Sequence, residues 1–254
     1  MNSTSVKMIV TDLDDTLLRS DKTMSERSKS AIRQCRALGK KTVYATGRGD
    51  DAKALVSSDL FDGCVYMNGA TAYRGDLLIY KKHIPVDKVR VMLTATDNAG
   101  FKIAAEAKGK HYANFNVSER WPYIHCFEYA DFATLNIEAE KVYAIVDKPQ
   151  VTELLEKHLA KGLHLYVSRD GLAMVMHEEA VKSRAVAALA EHWRISMNEV
   201  VAFGDDSNDI DMLKHCGIGV AMGNALDEVK IAADHFCDTN DNDGVAKWLE
   251  DNVL

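Results

Sequence analysis

Three acidic residues follow a short apolar run near the start of the chain, in the stretch TDLDDTLLRS at positions 11–20. In an extended chain, residues i and i+2 point to the same side, roughly 6–7 Å apart, so Asp12 and Asp14 should share a side while Leu13 faces the core. Two carboxylates at about 6 Å repel by about 3 kcal/mol at an effective dielectric constant of 20. This repulsion destabilises the fold, whereas a divalent cation bound between the two carboxylates would make their proximity favourable. For this stretch alone, a polar loop whose aspartates cap a turn is the alternative.

A second acidic segment follows another apolar run, in VVAFGDDSNDIDML at positions 200–213. Capping of a helix over about 208–216 explains one of its polar side chains. It does not explain three carboxylates and a carboxamide together, among them Asp205, Asn208 and Asp209. Hard cations such as Mg²⁺ prefer oxygen ligands of this kind, so the segment indicates a metal site.

A third segment, VYATGRGDD at positions 43–51, has the composition of a phosphate cradle. A strand should end at Thr46, and a hydroxyl followed by the backbone N–H groups of Gly47 and Arg48 near a helix start can bind phosphate. The segment does not match the dinucleotide-binding fingerprint, because Ala52 stands where G-x-G-x-x-G requires glycine.

Short apolar runs bounded by polar turns must position these residues, and they are typical of buried parallel strands. Helical spacing over Ser25–Leu38, stopped by Gly39, predicts one of the intervening helices. Alternating strands and helices predict an α/β fold, a Rossmann-like parallel sheet with helices on both faces that binds ligands at the carboxyl ends of its strands. The predicted core strands lie at 7–10, 41–45, 64–67, 199–203 and 217–222.

The middle of the chain has a different pattern. Alternating residues at 140–149 and 163–177 predict strands of a half-solvated antiparallel sheet, and 150–161 has helical spacing. We therefore predict a core formed by residues 1–83 and 181–254 and an inserted α+β domain over 84–180. Trp121, Tyr123, Arg169 and His177 could contact a substrate, although packing is the ordinary role of such side chains.

Composition narrows the function classes. The formal net charge of the 254 residues is −7, which argues against a nucleic-acid surface or a polybasic membrane patch. The five cysteines have no C-x-x-C spacing and are interpreted as reduced thiols. Neither a signal peptide nor a run of about 20 apolar residues is visible, so a soluble, cytoplasmic protein is expected.

Four motifs in this order and spacing resemble those of the haloacid-dehalogenase (HAD) superfamily: DLDDT (12–16), TGR (46–48), Lys182 at the start of a helical segment, and GDDSND (204–209). Lys182 alone would be read as a surface lysine. YMNGA (66–70) and DTNDNDGVAKWL (238–249) are similar to Cof-type phosphatases, and the insertion resembles a C2-type cap that sets substrate specificity. Asp15 and Ser183 stand where glycine is more usual in the superfamily, and Asp15 is interpreted as directed away from the site by local backbone geometry.

The resemblance implies a role for each matching residue. Asp12 would be the nucleophile that forms an aspartyl-phosphate, and Asp14 the general acid and base, with a pKa raised to hold a proton near neutrality. Mg²⁺ would be held by Asp12, Asp205 and the main-chain carbonyl of Asp14. Phosphate would be bound by Thr46, Gly47, Arg48, Lys182 and Asn208, with Lys182 oriented by Asp209.

The predicted function is a Mg²⁺-dependent phosphatase for small phosphorylated metabolites, with sugar phosphates the leading class. A phosphatase for cofactor or nucleotide phosphates and a sugar-phosphate phosphomutase remain open. Two further alternatives are a non-catalytic sugar-phosphate binder and a phosphorylated receiver domain. The receiver domain would be half as long, and a stable aspartyl-phosphate is hard to reconcile with an acid and base at Asp14.

Overall fold

The structure is a computed structural model that describes residues 6–122, 124–168 and 171–254. Tyr123 and Arg169, two of the possible substrate contacts, lie outside the described residues. The chain divides into two compact units, which we call the core unit and the inserted unit. The core unit comprises Met1–Lys81 and Val181–Leu254, and the inserted unit comprises Lys82–Ala180.

The strands of the described residues are, in chain order, β1 (Met8–Thr11), β2 (Lys41–Ala45), β3 (Gly63–Tyr66), β4 (Thr71–Arg74), β5 (Leu77–Lys81), β6 (Ile103–Ala107), β7 (Lys110–Ala113), β8 (Phe127–Tyr129), β9 (Lys141–Ile145), β10 (Leu163–Val167), β11 (Leu172–His177), β12 (Val200–Gly204), β13 (Ile218–Ala221) and β14 (His235–Phe236). The α-helices are α1 (Glu26–Ala37), α2 (Val86–Asn98), α3 (Pro149–Lys157), α4 (Lys182–His192), α5 (Ile210–His215), α6 (Asp227–Ala232) and α7 (Gly244–Asn252).

The core unit is built on a sheet with the strand order β14-β13-β12-β1-β2-β3-β4-β5 among the described residues. The pairings from β14 to β3 are parallel, and β4 and β5 extend the sheet antiparallel. Every residue of β1 and β12 is buried. Their continuous apolar runs therefore suit strands covered on both faces. The predicted α/β fold class is confirmed.

Helix α1 shows why the local sequence folds as predicted. The Ser25 hydroxyl accepts a hydrogen bond of 3.0 Å from the backbone N–H of Ser28, which satisfies a free donor at the helix start. Ala31, Ile32 and Cys35 recur at helical spacing and are buried. The predicted helix over 25–38 is confirmed, with its two end residues in capping positions.

The inserted unit has a sheet with the order β10-β11-β9-β6-β7-β8, in which β7–β8 is the only parallel pairing of the residues that the structure describes. The strands and the helix predicted within 140–177 are confirmed as β9, α3, β10 and β11. Val89, Leu93, Val142 and Val151 belong to its larger apolar cluster, and Tyr143 belongs to a second one. Among the described residues, no helix is both long and apolar enough to cross a membrane.

Candidate active site

The predicted site residues follow the carboxyl ends of neighbouring strands of the core unit. β1 pairs with β12 through Thr11 and Phe203, and with β2 through Thr11 and Tyr44. Because these three strands are parallel and adjacent, the segments after them meet at one edge of the sheet. Asp12, Thr46 and Asp205 are the residues that follow directly.

The chain leaves β1 through a single wide turn over Leu13–Leu17, closed by a hydrogen bond of 2.8 Å from the N–H of Leu18 to the carbonyl of Leu13. Asp15 has a φ of 57° in this turn, and its side chain is 50% exposed. The side chain of Asn224 donates a hydrogen bond of 2.7 Å to the Asp15 carbonyl. The extended geometry assumed from the sequence therefore ends at Asp12, since the turn begins at Leu13, and the left-handed Asp15 carries an outward side chain, as interpreted.

Lys182 is fully enclosed at the first residue of α4. Only 1% of the residue is exposed, and its Nζ donates hydrogen bonds of 2.6 Å to Asp12 Oδ1 and 2.7 Å to Asp209 Oδ1. Burial alone would lower the pKa of Lys182, but the two carboxylates outweigh it and raise the pKa above its ordinary value. The reading of Lys182 as a surface lysine is wrong, since a surface lysine would not be held by two buried acids.

Asp209 holds the turn after β12 as well as Lys182. Its Oδ2 accepts hydrogen bonds of 3.0 Å and 3.2 Å from the backbone N–H groups of Asp205 and Asp206. Gly204 is required beside it, because a Cβ at that position would lie 2.4 Å from the Cβ of Asp209. The segment predicted to start a helix near Asn208 forms a short 3₁₀ turn over Ser207–Asp209, and α5 begins at Ile210.

Three carboxylates converge next to Lys182. Ligand oxygens of Asp12, Asp205 and Asp209 lie within 4.8 Å of one another. Burial raises the pKa of Asp12 well above its ordinary value; Lys182 opposes the rise, and the charges of Asp209 and Asp205 add to it. Burial likewise raises the pKa of Asp205 to about 7, despite a hydrogen bond of 2.5 Å from Thr16 Oγ1.

The charge balance of this cluster fits a cation. Lys182 is the one positive group bonded to the three acids in the described residues, so the cluster has an excess of negative charge when all three acids are ionised. Repulsion from the neighbouring acids adds to the rise that burial causes in the pKa values of Asp12 and Asp205. A divalent metal ion with oxygen ligands would relieve that excess. The structure brings Asp209 to the cluster in addition to the predicted ligands Asp12 and Asp205. The carboxylate of Asp14, in contrast, is bonded elsewhere.

Asp14 is paired with positive side chains. Arg48 donates to its carboxylate from Nε at 2.6 Å and from Nη2 at 2.7 Å, and Lys22 Nζ lies 3.1 Å from Oδ1. Burial alone would raise the pKa of Asp14, but the hydrogen bonds and charge of Arg48, with a further contribution from Lys22, hold the pKa below its ordinary value. The expectation of a raised pKa is therefore wrong in this structure, because the spacing of the motifs does not show that Arg48 and Lys22 pair with Asp14.

The predicted phosphate cradle after β2 is organised around Thr46, which is buried. Thr46 Oγ1 accepts a hydrogen bond of 3.1 Å from the backbone N–H of Arg48. Its carbonyl accepts one of 3.0 Å from Asn68. Asn208 lies beyond, exposed, and its Nδ2 donates to Asn68 Oδ1 at 2.9 Å. The Arg48 guanidinium is directed to Asp14 and Asp51.

Several residues that contact the site were not predicted from the sequence. Thr16 donates to Asp205, Lys22 pairs with Asp14, and Asn224 holds the Asp15 carbonyl. Thr16 lies inside the DLDDT motif, so its position was a usable signal. No spacing pattern singles out Lys22 or Asn224, because their contacts depend on the left-handed turn at Asp15.

Acidic side chains around a buried lysine, at the carboxyl ends of parallel strands, are the arrangement expected for the superfamily that the motifs resemble. The sequence profile of the haloacid dehalogenase-like hydrolases matches residues 9–249. The chain belongs to this family, which confirms the resemblance.

Several relatives match over nearly the whole chain. One is the 5-amino-6-(5-phospho-D-ribitylamino)uracil phosphatase of Bacillus subtilis, 30% identical, with 98% of this chain and 96% of that protein covered. Among solved structures, a HAD-superfamily phosphatase from Bacteroides thetaiotaomicron is 28% identical, with a TM-score of 0.87 and 100% and 97% of the two chains covered. A subclass IIB sugar phosphatase is 27% identical, with a TM-score of 0.82 and 97% and 98% covered. The predicted enzyme class, a phosphoric monoester hydrolase, is confirmed by these relatives.

Proposed function

We propose that the protein is a Mg²⁺-dependent phosphatase that hydrolyses small phosphorylated metabolites through an aspartyl-phosphate on Asp12. The observation that carries this proposal is the buried triad of Asp12, Lys182 and Asp209. Lys182 is held between two carboxylates at 2.6 Å and 2.7 Å, so it fixes one oxygen of Asp12 and leaves the other for attack on phosphorus. Neutralising the phosphoryl charge is what makes a carboxylate an adequate nucleophile.

The carboxylates of Asp12 and Asp205 and the main-chain carbonyl of Asp14 would hold Mg²⁺, which supplies charge neutralisation for the phosphoryl oxygens. The Thr46 hydroxyl and the backbone N–H of Gly47 would donate hydrogen bonds to these oxygens, while the N–H of Arg48 keeps the Thr46 hydroxyl in place. Asn208 and Lys182 would bind the phosphoryl group from the other side. Arg48 would exchange part of its contact with Asp14 for the phosphoryl group. Asp209 would act as the support that keeps Lys182 in place.

Asp14 would protonate the leaving alkoxide and then take a proton from the water that hydrolyses the intermediate. This role requires the pKa of Asp14 to rise when substrate binds, since Arg48 and Lys22 lower it in the structure. Partial withdrawal of Arg48 to the phosphoryl group would produce such a rise, because burial then dominates.

Sugar phosphates remain our leading substrate class, and the subclass IIB sugar phosphatase supports it. Phosphorylated cofactor precursors are the second candidate, favoured by the relative that acts on a phosphoribitylamino uracil. We also propose that residues 84–180 select the leaving group. A phosphomutase would return the phosphoryl group to the substrate, so phosphate release compared with isomer formation separates the two reactions.

The test is turnover of an aryl phosphate and of a panel of sugar, nucleotide and cofactor phosphates, with Mg²⁺ and with a chelator. Asp12→Asn should abolish phosphate release, and chelation should do the same. Asp76→Asn, at an exposed residue in the turn between β4 and β5, is the matched control and should retain turnover. Phosphate release by the Asp12→Asn variant at the wild-type rate would exclude Asp12 as the nucleophile, and binding of sugar phosphates without turnover would favour a binder.

A further inference from the structure

The turn that follows β3 has a backbone that side chains other than glycine rarely adopt. Met67, Asn68 and Gly69 have successive φ angles of 49°, 51° and 105°. Left-handed conformations of non-glycine residues cost on the order of 1–3 kcal/mol each and persist where the surroundings fix them. Asparagine is enriched in this conformation, whereas methionine adopts it rarely. The contacts around this turn should therefore explain why its left-handed conformation is kept.

Two contacts tie the turn to the predicted phosphate cradle and to the start of α4. The backbone N–H groups of Met67 and Asn68 each donate a hydrogen bond of 3.0 Å, to the carbonyls of Arg48 and Thr46 respectively. Gly69 lies against the main chain of Val181, since a Cβ on Gly69 would be 2.3 Å from the Val181 carbonyl carbon and oxygen. Val181 directly precedes Lys182, so one strained turn braces two segments of the site.

The side chain of Asn68 extends this bracing to a third segment. Its Oδ1 accepts the hydrogen bond of 2.9 Å from Asn208 Nδ2. The same carboxamide covers Gly47, where a Cβ would lie 3.0 Å from Asn68 Oδ1. Within the described part of the chain, the Asn208 side chain makes no other hydrogen bond, so Asn68 alone fixes the orientation of its carboxamide.

We propose that Asn68 is a positioning residue of the phosphate site, acting through Asn208. By accepting from Nδ2, Asn68 selects one orientation of an otherwise exposed side chain and holds it for the substrate phosphoryl group or the water beside it. An ordered donor binds more tightly because less conformational freedom is lost on binding. The left-handed backbone is what places the Asn68 side chain between Gly47 and Asn208. This inference rests on the proposed function.

The test compares the effect of Asn208→Ala in three backgrounds, measured as kcat/KM for an aryl phosphate and as affinity for inorganic phosphate with Mg²⁺. In the wild type we expect a loss of about tenfold, the order of one hydrogen bond. In Asn68→Gly, which keeps the left-handed backbone but lacks the carboxamide, Asn208→Ala should change little, because Asn208 is already released. In Asn68→Asp, which retains the acceptor, Asn208→Ala should again cost about tenfold.

Comparison within each background removes the effect of the added charge in Asn68→Asp. A purely structural role for Asn68 would lower thermal stability without coupling the two residues, so independent, multiplying losses in Asn68→Gly and Asn208→Ala would overturn the proposal. A wild-type kcat/KM in Asn68→Gly would also overturn the proposal. If the wild type neither turns over nor binds inorganic phosphate, the proposed function fails, and this inference fails with it. Loss of turnover in Asp12→Asn alongside wild-type behaviour of Asn68→Gly would refute only the inference.

Discussion

The guanidinium of Arg48 binds the carboxylate of Asp14 through two hydrogen bonds, 2.6 Å from Nε and 2.7 Å from Nη2. The sequence assigned these residues to different tasks, phosphate binding and proton transfer. Under the proposed mechanism their pairing would couple the two tasks, because a phosphoryl group that draws on Arg48 would weaken the interaction that keeps Asp14 ionised. The proton donor would then be produced by substrate binding instead of being present in the free enzyme.

Asp14→Asn tests the proposed proton transfers. The asparagine carbonyl can still accept from Arg48, but the side chain can neither donate a proton to the leaving group nor take one from water. We expect turnover of a sugar phosphate to fall by about 10²–10⁴-fold. An aryl phosphate, whose leaving group needs no proton, should give a burst of aryl alcohol and an accumulated phosphoenzyme detectable by intact-protein mass spectrometry. Equal losses for both substrates without a burst would contradict the assignment.

The raised pKa of Asp205 predicts how the stability of the metal-free protein depends on pH. In the unfolded chain this carboxyl ionises near 3.8, whereas in the folded protein its pKa is about 7. Between these values the folded state retains a proton that the unfolded state has lost, so stability falls as pH rises through this window and stays lower above it. Below the unfolded pKa the contribution is fully present.

Thermal unfolding in chelator at pH 5 and pH 8 measures this effect. Asp205→Asn should show a smaller decrease in melting temperature between the two pH values than the wild type, because the titrating carboxyl is gone while the acceptor for Thr16 remains. Asp76→Asn, at an exposed residue, should behave like the wild type. An identical decrease in Asp205→Asn and the wild type would contradict the prediction.

The sequence was sufficient to locate the site and, through the family resemblance, to pair Lys182 with Asp209. It did not give the contact of Lys182 with Asp12 or the partners of Asp14. Apolar runs ending in Asp12, Thr46 and Asp205 predicted which strand ends carry chemistry, because parallel strands present their carboxyl ends at one edge. The burial of Lys182 was not predictable, since burial of a lysine depends on two acids that lie 170 and 27 positions away along the chain.

The pairing of Asp14 was hidden for a related reason. Alternation of side chains holds only while the backbone is extended, and the turn over Leu13–Leu17 interrupts the extension directly before Asp14. Where Asp14 then points depends on Arg48 and Lys22, which belong to other segments. The turn at Met67 and Asn68 could not be predicted either, because neither residue requires φ above zero.

Lys182→Met tests how much the buried ion pairs contribute to the metal-free protein. Removing the amine leaves the buried carboxylates of Asp12 and Asp209 without the positive charge that they share. This loss should lower the free energy of unfolding by about 3–5 kcal/mol. The cost should be smaller at pH 5 than at pH 8, because the raised pKa of Asp12 allows it to protonate. Lys7→Met is the control, since Lys7 pairs with Glu199 at 2.6 Å but is 56% exposed.

The control should change the unfolding free energy by about 0–1 kcal/mol, the usual range for an exposed pair. Denaturant titrations in chelator at the two pH values give both numbers. Similar losses for Lys182→Met and Lys7→Met would show that the enclosed amine contributes no more than a surface one.

Gly69 and Gly75 both have a positive φ, but they differ in what a side chain would meet. Their φ angles are 105° and 56°, and a Cβ on Gly75 meets nothing within 4 Å, whereas on Gly69 it would lie 2.3 Å from the main chain of Val181. Gly75→Ala should therefore cost only the left-handed conformation, about 1–2 kcal/mol. Gly69→Ala should cost more, because its φ lies beyond the left-handed region that alanine adopts and because the main chain at Val181 must shift.

The displacement in Gly69→Ala should also reach the site, since Lys182 directly follows Val181. We expect a loss of kcat in the folded Gly69→Ala variant and wild-type kcat in Gly75→Ala. Unfolding free energies and steady-state rates at a temperature where both variants are folded make the comparison. Equal destabilisation with unchanged kcat in both would mean that the contact between Gly69 and Val181 does not position Lys182.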